Sequence, residues 1–180
     1  MKKLVLAIAV FLVGCEDREI KTYSIAKETP QLPAPASSSL KPKWKAPAGW
    51  KELPASGMRA ASFTVENSKV DVSVVTFPGT AGGLLSNLNR WRGQLGLSSV
   101  ESESNVATIS VHGQPTQIVE LTSATEDKAI LGAIYLRDDQ SWFLKLSGDK
   151  ASVTAQKANF ESLANSFEFQ STHKTSANDG

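Results

Sequence analysis

Six short segments rich in β-branched and aromatic residues follow one another, and most are separated by connections too short for anything but a reversal of direction. Residues 59–65 and 70–77 flank Glu66-Asn67-Ser68-Lys69, and 106–111 and 116–122 flank His112-Gly113-Gln114-Pro115. Residues 130–137 and 142–146 meet around Asp138-Asp139-Gln140. A parallel pair needs a crossover of about a dozen residues or more, whereas an antiparallel pair closes with a tight turn. The spacing therefore predicts an antiparallel sheet. Within it, Ala107, Ile109 and Val111 share one face of their strand, and Trp142, Leu144 and Leu146 share one face of theirs, at the period of two that a half-buried strand requires.

Two segments change to a helical period. Leu84, Leu88, Trp91 and Leu95 fall at offsets 0, 4, 7 and 11, which predicts an amphipathic helix over 84–95 with Trp91 turned to the core. A second helix is predicted over 152–166, with Val153, Phe160, Leu163 and Phe167 as its apolar stripe. The expected fold class is α+β, an antiparallel β-sheet with two packed helices. It occupies 43–170, a length that buries a real core. The polar stretch 171–180 is expected to be a disordered tail.

The first 42 residues follow another logic. Lys2 and Lys3 precede an apolar run, Leu4 to Val13, which is shorter than the ~20 residues a spanning helix needs. Basic, apolar and small-residue zones in that order match an export signal better than a buried N-terminal element. Leu12-Val13-Gly14-Cys15 resembles a bacterial lipobox. The resemblance implies a signal peptide over 1–14, cleavage before Cys15, and lipid on its sulfur and on the new amino terminus. The expected location is the cell envelope, membrane-anchored and facing the periplasm. With Glu16 directly after the cysteine, the lipoprotein sorting rule leans toward the outer membrane over the inner.

Residues 15–42, with Gln31-Leu-Pro-Ala-Pro-Ala-Ser-Ser-Ser-Leu40, have no apolar period and read as a flexible tether. Cys15 is the only cysteine, so its lipidation leaves no thiol for a disulfide. Removing Lys2 and Lys3 leaves 17 of 19 basic residues against 18 acidic ones, a formal charge of −1. That balance provides no field to steer the chain onto nucleic acid.

A further resemblance starts at Trp44-Lys-Ala-Pro-Ala-Gly-Trp50, which is similar to the proline, glycine and tryptophan opening of PsbP-like domains. The order of the remainder agrees with it: a strand pair, a helix, antiparallel strands, and a C-terminal helix running into Ser166-Phe167-Glu168-Phe169. The resemblance covers 44–169 and implies the accessory-subunit role of such domains. Gly82 to Leu97 also looks like a segment of uncharacterised exported bacterial proteins, which brings no activity with it.

Groups that could carry chemistry are sparse. Phe77-Pro-Gly-Thr-Ala-Gly-Gly83 leads from strand to helix and could present backbone N–H groups to an anion. It lacks the Gly-Lys-Ser/Thr of a phosphate loop, so a purely conformational role for its glycines is the stronger reading. His112 sits at a turn and His173 in the tail, neither with a metal-ligand spacing. No serine lies in Gly-x-Ser-x-Gly. The sequence thus predicts no enzyme, no cofactor and no metal.

Asn87, Arg90, Arg92 and Gln94 remain. Asn87, Arg90 and Gln94 are spaced to share an exposed helical face, where arginine and amides could bind a carboxylate, a phosphate or a partner loop. The expected role is non-covalent binding or assembly of an envelope protein partner. The alternative is a small-ligand carrier for a lipid or anionic glycan, held between the sheet and the 84–95 helix with Arg90 or Arg92 at the rim.

Overall fold

The computed structural model describes residues 41–104, 106–137 and 139–170. Cys15, the 1–14 signal, the tether before residue 41, Asp138 and the 171–180 tail lie outside the described residues. In chain order the elements are β1 (Trp50–Leu53), β2 (Arg59–Val65), β3 (Asp71–Pro78), α1 (Gly83–Gln94), β4 (Ala107–Val111), β5 (Gln114–Thr122), β6 (Ala129–Tyr135), β7 (Gln140–Gly148), α2 (Lys150–Ala155) and α3 (Lys157–Asn165). The strands form one seven-stranded sheet in the order β1-β2-β3-β7-β6-β5-β4. Every neighbouring pair is antiparallel. The fold is α+β, with helices packed against both faces.

The register follows from which residues must be dry. One row runs Ala61–Val74–Leu144–Ala133–Ile118 across five strands, and the next runs Phe63–Val72–Leu146–Leu131–Glu120. These rows line the face covered by α2 and α3, whose Val153, Phe160, Leu163 and Ala164 are buried with them. Slipping any of these strands by one residue would turn this apolar set to the other face. Trp44 and Phe167 close the end of this core. Phe167 stacks between Trp44 at 5.1 Å and Tyr135 at 4.8 Å. The buried Tyr135 hydroxyl donates to the Ala164 carbonyl at 2.7 Å, and burial pushes its ionisation far up.

On the opposite face, α1 seals Val119, Leu121, Ile130, Ile134 and Phe143 with Leu84, Leu88, Trp91 and Leu95. Trp91 lies on Gly132 of β6, where a Cβ would overlap its indole ring. The glycine is a slot for the tryptophan.

Two expectations are corrected. The 152–166 helix is two helices, with Gln156 closing α2 and opening α3. The Gln156 amide oxygen accepts from the Trp50 indole at 3.0 Å and from Asn159 at 2.9 Å, which holds the break in place. The helical segment also starts earlier than expected, at Lys150, because the Asp149 carboxylate accepts from the Ser152 N–H at 2.8 Å and so caps the first turn. Three helices therefore stand where two were expected. In addition β1, not foreseen as a strand, pairs with β2 along Trp50–Leu53.

Candidate functional site

The two ends of the sheet are dressed differently. Over β6 and β7 both faces are covered, and β5 is covered on the α1 side. Over β1, β2 and β3 no helix among the described residues lies on the α1 side, and the outward residues there are mostly polar. Lys51, Thr64 and Asp71 are exposed there, and Arg59 and Ser62 are half-buried. Arg59 joins this face through the irregularity in the β2–β3 register. Its guanidinium donates to both Asp71 carboxylate oxygens, at 2.7 and 2.9 Å. The paired hydrogen bonds to Asp71 raise its pKa against a smaller effect of burial. The result is a bidentate pair with a fixed plane.

Lys145 of β7 borders this patch. It lies in the row Ser62–Ser73–Lys145–Gly132, at the seam between the open half and α1. Its ammonium donates to the Gln94 amide oxygen at 2.9 Å. Burial lowers its pKa, the Asp71 carboxylate opposes that, and Arg59 adds to it. A depression of about 460 Å³ runs alongside, lined by Gln94, Lys145, Ser147, Asp127, Lys128 and Asp149 among others. Leu53, on the same side, and Met58, in the β1–β2 connection, are the large apolar residues left exposed among the described residues. The arrangement places charges of both signs beside a small exposed apolar patch. Among the described residues no group of three or more His, Cys, Asp or Glu could hold a metal ion.

The four helix residues singled out from sequence do not form one face. Asn87 is only 2% exposed, which corrects the expectation of a solvent-facing amide. It stands three residues after Leu84, at the flank of the apolar stripe. Its Nδ2 donates to the carbonyls of Ala81 at 2.9 Å and Gly83 at 2.7 Å. It thereby ties down a helix start in which Ala81, Gly82 and Gly83 all have positive φ. The exposed Arg90 donates to Asn87 Oδ1 at 3.0 Å. Arg92 donates from Nε to the Ser98 carbonyl at 2.7 Å, fastening the segment after the helix. Only Gln94 reaches the charged half-face.

The glycine-rich start of α1 is occupied from within, since the Leu85 N–H donates to the Glu103 carboxylate at 2.9 Å. His112 is exposed in a two-residue turn between β4 and β5, with φ of 49°. The space expected between α1 and the sheet is a cavity of about 230 Å³ with Arg92, but not Arg90, in its lining. Sequence reasoning missed Arg59, Asp71 and Lys145. A signal for one of them was present: Lys145 interrupts Trp142-Phe143-Leu144 and Leu146, an otherwise unbroken apolar strand.

No protein-family model matches the chain, and no curated protein matches it either. Among solved structures it is similar to the cyanobacterial PsbP protein of Synechocystis, at 16% identity over 76% of this chain and 96% of that one, with a TM-score of 0.44. A protein of Bacteroides thetaiotaomicron matches at 10% identity over 72% of this chain, with a TM-score of 0.44. This chain spans only 45% of the length of that protein. A Pseudomonas aeruginosa protein of unknown function matches at 13% identity over 73% of this chain and 99% of that one, with a TM-score of 0.36. At these identities and scores the likenesses carry no activity across to this chain. No helix among the described residues is long and apolar enough to cross a membrane.

Proposed function

We propose that this chain is a lipid-anchored cell-envelope protein whose α+β domain binds an envelope protein partner without covalent chemistry. The observation that carries the reading is the open half-face of β1–β3. Among the described residues the seven-stranded sheet is covered on both sides over β6 and β7 and carries no helix on the α1 side of β1–β3. The bare part presents a preorganised Arg59–Asp71 pair and the half-buried Lys145 beside the exposed Leu53 and Met58. Fixed charges next to a small apolar patch are what a protein interface uses for register and contact. The PsbP-like opening at 44–50 supports an accessory-subunit role by analogy only.

The test is affinity capture from envelope solubilised in mild detergent, with the full chain as bait. One reproducible partner is expected. It should be lost with the double variant Lys51→Glu, Thr64→Glu, whose exposed positions leave the core untouched, while the thermal melt stays within a degree or two of wild type. Recovery of no partner, or of the same partner by the variant, would refute the reading.

A further inference from the structure

The other face of the sheet holds a groove that α3 leaves uncovered, independent of the partner surface. In the row Ala61–Val74–Leu144–Ala133–Ile118 the first four residues are fully buried. The fifth, Ile118, is only half-buried, and so is Ile109 on the neighbouring β4. Both belong to the edge of the core without being closed over. The space above them measures about 540 Å³ and is floored by Ile109, Ile118 and Leu131, with Phe160 of α3 as one wall. That volume falls within the range of clefts that take small organic molecules.

The mouth of the groove has a definite polarity. Lys157, Glu161 and Asn165 follow one another at four-residue spacing along α3 and all line it. The Lys157 ammonium is engaged across the mouth by Glu120 of β5 at 2.6 Å, and that carboxylate raises its pKa. Glu161, one turn along, adds to that effect on Lys157 without closing to an ion pair among the described residues. Asn165 uses its Nδ2 to donate to the Glu161 backbone carbonyl at 2.8 Å, which leaves its amide oxygen as an acceptor. Two carboxylates thus face one ammonium among the lining residues, and the groups without a direct hydrogen-bonded cation are the Glu161 carboxylate and the Asn165 amide oxygen. Both accept hydrogen bonds.

We propose that this groove binds an apolar molecule bearing a protonated amine, its hydrocarbon part on Ile109, Ile118, Leu131 and Phe160 and its ammonium between Glu161 and Asn165. An anionic head group would meet a mouth of net negative charge, where the Glu120 and Glu161 carboxylates face the single ammonium of Lys157 among the lining residues.

The experiment titrates the full chain at pH 7 with three chain-matched probes, octylamine, octan-1-ol and octanoate, and follows the side-chain methyl resonances of Ile109 and Ile118. Octylamine is expected to bind roughly fivefold tighter than octan-1-ol, the scale of a partly exposed ion pair, and octanoate weakest. Glu161→Gln should bring octylamine and octan-1-ol to equal affinity with an unchanged melt, because the side chain is exposed. Ala107→Trp, at an exposed position of the lining, should block all three probes. The proposal is overturned by an absence of shifts with every probe, by octylamine binding no tighter than the alcohol or the carboxylate, by an advantage that survives Glu161→Gln, or by Ala107→Trp binding like wild type. None of these outcomes touches the partner reading, whose residues lie on the opposite face.

Discussion

Lys145 lies between Leu144 and Leu146, both fully buried, and much of its own side chain is withdrawn from water. Burial disfavours its ammonium and lowers its pKa below the ordinary 10.5, with Asp71 opposing and Arg59 adding to the effect. The unfolded chain holds that proton to higher pH than the folded one. Stability therefore rises with pH through the depressed pKa and levels off above the unfolded value. At pH 7 the cost is present in full. Lys145→Met keeps the length and the apolar contact of the side chain and removes the charge, so it is expected to raise the melting temperature at pH 7. Its advantage over wild type should shrink as the pH approaches about 10.5. Melts at pH 7 and pH 10 check this, and a variant less stable than wild type at pH 7 would show that Gln94 and Asp71 more than offset the burial.

At the scale of elements, the apolar stripe of α1 includes an interlock with the sheet, Trp91 on Gly132, with Phe143 edge-on to the indole at 6.4 Å. Trp91→Ala should lose about 3–5 kcal/mol in chemical denaturation. Gly132→Ala forces a methyl group into the ring and should lose about 1–3 kcal/mol or more. In the Trp91→Ala background most of the Gly132→Ala penalty should vanish, giving a coupling above about 1 kcal/mol. Strict additivity of the two losses would mean that the ring does not rest on the glycine. The phase of α1 was readable because Leu84, Leu88, Trp91 and Leu95 repeat locally, and the six strands were readable because alternation and short turns are local too. What escaped was set at a distance. The Trp50–Gln156 hydrogen bond that splits the C-terminal helix joins residues 106 apart. β1 shows a single buried residue, Trp50, too little to register as alternation. The charged half-face is assembled from strands β2, β3 and β7, so Arg59, Asp71 and Lys145 had no common pattern in the sequence. Asn87 was misplaced because a position on the flank of an apolar stripe can be polar and still be buried when backbone carbonyls wait for its amide.

For the whole molecule, the two proposed surfaces are tied together by the location that the N-terminal sequence predicts. A tethered domain would be confined near a bilayer, where the proposed partner face and the proposed amphiphile groove would both work at high local concentration. That location rests on Cys15. Changing Cys15 to Ser should leave the 4–13 apolar run able to engage export while removing the acceptor for lipid. The precursor is expected to persist or to be cut at an abnormal position. The product should lose the acyl chains and with them its firm membrane association. Growth with an alkyne-bearing fatty acid, followed by coupling to a fluorophore, reads the modification directly. Wild type should label and the serine variant should not, and equal labelling of the two would remove the lipid anchor. The partner capture would then have to be repeated from soluble extract, because the same half-face would be searching a different compartment.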